Sequence, residues 1–240
     1  MNFLSARWQN LILANYEVAP SILQPYVPAK TKLDRFEGRL FVSLVAFMFD
    51  RMSCMGIPAL FHRRFEEVNL RFYVAPDKDP SIRAVTFIKE LVPKKLITFV
   101  ANRFFDENYE ALPMDHGTAS NEYWYSWQTK SSSAGGSSKQ RAQTQRIRAM
   151  VTSELTLPKP NSMAEFITEH YWGYSKGRNK TTEYRVDHPQ WECAEIEDFQ
   201  IDVDFAATYG SDFAFLNNAE PVNVLFAKGS EVTVSFPKTL

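Results

Sequence analysis

The sequence predicts a single, strand-rich α+β domain, and three observations carry that expectation. Leu40 to Phe49 is an almost unbroken apolar run rich in Phe and Val, with Gly38 as a turn just before it, the pattern of a strand buried on both faces. Val68, Leu70, Phe72 and Val74 alternate with Glu67, Asn69, Arg71 and Tyr73, which is the period of two of a strand with one polar face. Near the C-terminus, Val222 to Ala227 and Glu231 to Phe236 flank Lys228-Gly229-Ser230 and read as a hairpin with Gly at its turn. All-β barrels and sandwiches run to about 200–250 residues as one unit. At 240 residues, the expectation is one domain spanning 1–240.

The remaining elements follow in chain order. Pro20 to Val27 suits a short helix ended by Pro28. Pro76 to Pro80, with two Asp between the prolines, is a turn leading into a strand over Ile82 to Val92. Pro93 can occupy the first position of a helix through Phe105, in which Leu96, Phe99, Val100 and Phe104 form one apolar stripe. Tyr123 to Gln128 and Arg146 to Leu157 are strand-like, and the Ser/Gly-rich stretch 130–139 between them reads as a flexible hairpin tip. Ser162 can cap a helix containing Ala164 to Glu169, with Glu165 as its capping-box partner.

Composition excludes several classes of function. With 27 Lys+Arg against 28 Asp+Glu the net charge is −1, so the chain lacks the basic excess that grips nucleic acid. Two distant cysteines, Cys54 and Cys193, cannot build a disulfide framework and suit a reduced compartment. The N-terminus has no basic region ahead of an apolar core. The longest apolar stretch is about half the ~20 residues a membrane helix needs. The expectation is a cytoplasmic protein that binds neither nucleic acid nor membrane. A homo-oligomer is left open.

Motifs with a fixed chemistry are missing. There is no His-Glu-x-x-His, no Gly-rich phosphate loop and no Gly-x-Ser-x-Gly elbow. The four histidines, His62, His116, His170 and His188, are scattered. His62 and Glu66 have helical spacing but precede a strand, so no metal and no cofactor are expected.

Three constellations are left that can carry chemistry. Lys94 and Lys95 sit at a helix start, where the macrodipole and a neighbouring ammonium both favour the neutral amine that attacks a carbonyl; the alternative is two solvated lysines. Lys89 shares its strand face with Val85, Phe87 and Leu91, and Glu90 shares the other with Ile88 and Val92. One of the two must therefore enter apolar surroundings, as an activated nucleophile (Lys89) or a general acid or base (Glu90), unless both lie on an edge strand. Glu67, Asn69 and Arg71 share one face, and if that face lines a cavity Arg71 can hold a carboxylate bidentately. Otherwise the three form a solvated ladder over Val68 and Leu70.

Asn15 to Pro28, Gly38 to Phe47, Glu67-Val-Asn-Leu-Arg71, Phe166 to Tyr174, His188-Pro189 with Trp191, and the C-terminal hairpin together resemble the YqjF-like family. The resemblance implies the fold of the acetoacetate decarboxylase-like superfamily, a curved, largely antiparallel barrel or cone with helices outside and a central cavity. It turns Glu67, Asn69 and Arg71 toward that cavity and adds Tyr109 to the substrate-binding set. Acetoacetate decarboxylase forms a Schiff base between a lysine and a β-keto acid. Val92-Pro93-Lys94-Lys95-Leu96 looks like its Pro-Lys-Lys-Leu segment, but Phe87-Ile88-Lys89-Glu90 stands where the enzyme has Gly-Arg-Glu at another spacing. The expected function is binding of a small anionic organic molecule in the barrel, with decarboxylase or lyase-type chemistry as the enzymatic reading. The competing readings are a non-catalytic ligand-binding or sensor protein and a structural or interaction protein.

Overall fold

A computed structural model describes residues 2–59, 63–130, 142–177 and 180–240. Seven strands close into a barrel: β1 (Asn2–Glu17), β2 (Phe41–Cys54), β3 (Phe65–Pro76), β4 (Ala84–Val92), β5 (Trp172–Lys176), β6 (Thr181–Asp187) and β7 (Glu231–Ser235). They follow one another around the ring in chain order, and β7 closes onto β1. An odd number of strands cannot alternate in direction all the way round, so one seam must be parallel. That seam is β4–β5, where Trp172 and Gly173 lie beside Ala84 and Val85. The long connection across it carries most of what lies outside the barrel, as a parallel crossover requires.

The predicted burial of β2 on both faces holds, and β3 is buried on both faces too, because each face has its own cover. Outward-facing Ile12, Ala14, Leu44, Ala46, Val68, Leu70 and Phe72 pack against Tyr125, Trp127, Ile147 and Ala149. Those four come from a separate antiparallel sheet of Met114–Ala119, Glu122–Lys130, Ala142–Met150 and Phe199–Asp202. Inward-facing Leu11, Leu13, Val45, Phe47, Phe49, Phe65 and Val85 form a second core with Phe166, Ile167 and Trp191. The register of Lys130 with Ala142 fits a hairpin; the tip itself, 131–141, lies outside the described residues, as does His62.

Among the described residues, four short α-helices occupy the connections. α1 (Pro20–Leu23) continues as a 3-10 turn to Tyr26, close to expectation. α2 (Lys95–Phe104) forms close to where predicted, and most of its apolar stripe is exposed. Leu96, Phe99 and Phe104 are 55%, 64% and 54% exposed. The face turned to the barrel is Ile97, Val100 and Ala101, which have i, i+3, i+4 spacing and lie over the barrel mouth. α3 (Met163–Thr168) is capped as predicted: Ser162 accepts from the Glu165 amide at 3.2 Å, and Glu165 accepts in return from Asn161 N at 2.8 Å. α4 (Phe205–Tyr209) seats Phe205 and Tyr209 in the outer core. Among the described residues no helix is long and apolar enough to cross a membrane.

The C-terminal segments correct the hairpin expectation. Asn223–Ala227 pairs with Leu11 to Asn15, and β7 pairs with Asn2 to Arg7, so both lie along one edge of β1 instead of against each other. The chain passes from one to the other at Gly229. Its φ is +77°, and a Cβ there would stand 2.1 Å from the carbonyl oxygen of Trp8, so only glycine fits.

Candidate functional site

The barrel encloses a cavity of about 310 Å³, within the size range of small-molecule sites. The period of two on β3 turns Glu67, Asn69 and Arg71 into it together, and all three are buried. Glu90 lies opposite Asn69 on β4. A register shift between Leu70 and Arg71 then places Phe87 opposite Arg71. This bulge corrects the face assignment on β4. Val85, Phe87 and Glu90 line the cavity together, whereas Lys89, opposite Leu70, faces out and pairs with Glu110 at 3.2 Å.

The segment after α2 completes the polar lining. Asn108 Nδ2 donates to the carbonyl of Ile88 at the bulge, at 2.9 Å, and the Glu90 amide donates to the Asn108 carbonyl at 3.1 Å. So anchored, the chain presents Glu107 and Tyr109 to the cavity. Asn69 Nδ2 donates to Glu67 Oε1 and the Tyr109 hydroxyl to Glu67 Oε2, each at 3.0 Å. Ser175 and Tyr184 both donate to Glu107 Oε1, at 2.5 and 2.6 Å. Arg71 Nη2 donates to the Ile167 carbonyl at 3.1 Å.

Burial raises the pKa of all three carboxyls. Glu67 is pushed up to about 7 against the pull of its donors Asn69 and Tyr109 and of the Arg71 charge. Glu107 rises by burial although Ser175 and Tyr184 stabilise its charge. Glu90 is held well above the usual range by burial and by the charges of Glu107 and Glu67, against the pull of the Tyr109 hydroxyl, and it keeps its proton. Burial, with Arg71 and Arg83 nearby, holds His170 well below its ordinary value, so its ring is neutral. The phenols of Tyr109 and Tyr184 are pushed up by burial and stay protonated. The result is one protonated acid beside two carboxyls that titrate near neutrality, an arrangement suited to general acid–base chemistry.

Several buried polar atoms of this lining have no hydrogen-bond partner among the described residues: Trp8 Nε1, Asn69 Oδ1, Arg71 Nε, Glu90 Oε2 and both ring nitrogens of His170. A buried donor or acceptor left unpaired costs about 1–3 kcal/mol.

The lysines stand elsewhere. Lys95 is exposed and Lys94 half-buried at the start of α2, and neither they nor Lys89 line the cavity. No lysine does among the described residues, so the expected amine nucleophile has no geometric support. Glu107, Tyr184 and Trp8 escaped the sequence reading; the approach of the first two depends on the bulge and on the parallel seam. His188 lies in the lining stacked on Trp191, with ring centroids 4.2 Å apart. Outside the barrel, Glu66, Asp115 and His116 bring donor atoms within 4.8 Å of one another, and His116 Nδ1 meets Glu66 Oε1 at 2.5 Å.

A closed seven-stranded barrel with helices outside and this enclosed cavity has the acetoacetate decarboxylase-like fold. Acetoacetate decarboxylase from Legionella pneumophila subsp. pneumophila str. Philadelphia 1 superposes with a TM-score of 0.67 at 9% identity, covering 100% of this chain and 90% of that one. An acetoacetate decarboxylase-like enzyme from Sphingomonas wittichii RW1 gives 0.62 at 10% identity over 100% and 94%. The enduracididine biosynthesis enzyme MppR, complexed with pyruvate, gives 0.64 at 10% identity over 100% and 91%. The chain itself belongs to the DUF2071 family, described as an uncharacterized conserved protein, whose pattern matches residues 5–231. It is 26% identical over 191 residues to YqjF of Bacillus subtilis (strain 168), covering 79% of this chain and 74% of that protein.

Proposed function

We propose that the cavity binds a small organic acid through Arg71 and moves a proton on it with the carboxyl cluster. The observation that carries this reading is the convergence of unpaired buried polar groups, Arg71 Nε, Asn69 Oδ1, Glu90 Oε2 and the His170 ring, on one enclosed space. Arg71 holds the carboxylate, and Asn69 and Tyr109 position it. For a 2-oxo acid, a carboxylate of the cluster (Glu67 or Glu107) takes a proton from the carbon beside the carbonyl. Glu90 gives its proton to the carbonyl oxygen, so a C–H bond breaks, an O–H bond forms and the product is the enol. This is tautomerase-type proton transfer without an amine, and it needs none of Lys89, Lys94 or Lys95. The MppR complex with pyruvate supports an oxo acid as the first ligand to try.

The absence of a lysine from the described lining favours a second reading, a ligand-binding or sensor protein on the same cavity. One experiment separates them. Pyruvate and 2-oxobutyrate are incubated with the protein in D₂O and followed by proton NMR, with borohydride trapping in parallel. Loss of the signal beside the carbonyl with no lysine adduct is the expected result. Binding without exchange leaves the sensor reading, and a borohydride-stable lysine adduct overturns the amine-free mechanism.

A further inference from the structure

The polar groups make up only part of the cavity lining. Its other walls are apolar and largely aromatic: Trp8 from β1, Phe47 and Phe49 from β2, and Phe65 from β3, with Ile97 and Val100 of α2 across the mouth. These rings form a continuous wall. Trp8 meets Phe47 and Phe49 with centroids 5.0 and 5.8 Å apart, and Phe49 stacks on Phe65 at 4.7 Å. A dry apolar cavity of about 150 Å³ already accepts benzene. Here about 310 Å³ is available. A three- or four-carbon acid held at Arg71 would leave the aromatic wall without a partner, and the transfer of apolar surface from water favours a guest that covers it.

We infer that the natural ligand is an amphipathic acid, with its carboxylate at Arg71 and an aromatic or straight-chain body of about six to ten carbons along the Trp8, Phe49 and Phe65 wall. The inference rests on the acid-binding reading above and extends it to a substrate class. The body leaves the polar groups, passes the rings and ends beneath α2. That helix has no fully buried residue, so its inner face can be changed without disturbing the core. Ala101, on that face, is the place to shorten the apolar part.

The test is isothermal titration of the full chain with pyruvate, 2-oxohexanoate, 2-oxooctanoate and phenylpyruvate, and with 1-octanol as a neutral body. Each methylene buried should tighten Kd about fourfold until the wall is covered. Phenylpyruvate should bind at least tenfold more tightly than pyruvate. Ala101→Trp should remove most of that gain while leaving pyruvate within about threefold. Equal affinity for pyruvate and 2-oxooctanoate overturns the apolar body and leaves acid binding intact. Octanol binding as tightly as the eight-carbon acid overturns the acid reading itself, and binding of none of the five overturns both.

Discussion

The hydroxyl of Tyr109 donates to Oε2 of Glu67 at 3.0 Å, from a segment that joins the barrel only by running parallel to β4. With Asn69 on the other oxygen, Glu67 has two donors that stabilise its charge against complete burial, and the balance falls at about 7. Tyr109→Phe removes one of them. Losing a hydrogen bond to a charged group is worth about 1.5 kcal/mol or more, so the Glu67 proton should become about tenfold harder to remove. Carboxyl-labelled NMR titration checks this, and an unchanged midpoint would mean that the hydrogen bond is not made in solution.

Anion binding at Arg71 should take up protons. A ligand carboxylate adds negative charge beside Glu67 and Glu107 and favours their protonated forms, so affinity should fall as pH rises through about 7. Titrations at pH 6 and 8 in buffers of different ionisation enthalpy measure the uptake directly. Glu67→Gln should flatten the dependence. Affinity that rises with pH would contradict a carboxylate at this site.

The same groups set the stability of the unliganded protein. A carboxyl whose folded pKa is raised above its ordinary 4.5 favours folding while protonated, and that advantage is lost as pH climbs through the folded value, about 7 for Glu67. Glu90 and Glu107 act in the same direction. His170, depressed below 6.5, acts oppositely: its contribution is present above 6.5 and is lost as pH falls below that value. Burial lowers His188 as well, and three carboxyls against two imidazoles predict a protein less stable at pH 8 than at pH 6. Glu67→Gln should recover about 2 kcal/mol at pH 8 in denaturant melts. The amide can be accommodated because Asn69 can turn its unpaired Oδ1 toward the new NH₂.

Much of this was legible in residue order alone. The period of two in Glu67, Asn69 and Arg71 is a covalent property of an extended chain, and it puts the three on one face whatever the fold. The capping of α3 by Ser162 and Glu165 is equally local. What failed was non-local. Lys89 and Glu90 exchange faces because a bulge at the β3–β4 seam adds a residue, and no pattern in Ile82 to Val92 announces it. On α2, hydrophobicity shows that a stripe exists, but not which part of it the barrel mouth will cover. Glu107 joins Ser175 and Tyr184 across more than sixty residues, through a parallel crossover with no sequence signature.

Arg71→Leu should abolish carboxylate binding while the barrel stays folded. The substitution removes a buried charge and leaves the Ile167 carbonyl without its donor at 3.1 Å, so the net cost should be about 1–2 kcal/mol. Its electrostatic signature is more specific. Arg71 pulls Glu67 down and pushes His170 down, so both should titrate higher in the variant. Histidine NMR reports the second. An unmoved His170 together with retained acid binding would show that Arg71 is not the anchor.

Gly173 tests the far side of the cluster. It lies opposite Tyr184 in the β5–β6 register, and a Cβ there would come within 2.2 Å of the tyrosine ring, which occupies the space a side chain would fill. The Tyr184 hydroxyl donates to Glu107 at 2.6 Å, so the missing side chain of Gly173 positions a proton donor of the cluster. Gly173→Ala must displace the ring. Although alanine suits a strand better than glycine, the overpacking should cost about 2 kcal/mol, and the lost hydrogen bond should raise the Glu107 titration. Tyr184→Phe separates the two effects, because it removes the hydroxyl while leaving the ring in place. Both variants should shift the pH dependence of acid binding upward, and only Gly173→Ala should lower Tm by several degrees. If Gly173→Ala left both Tm and the pH profile unchanged, the ring would be free to move and Tyr184 would not fix Glu107.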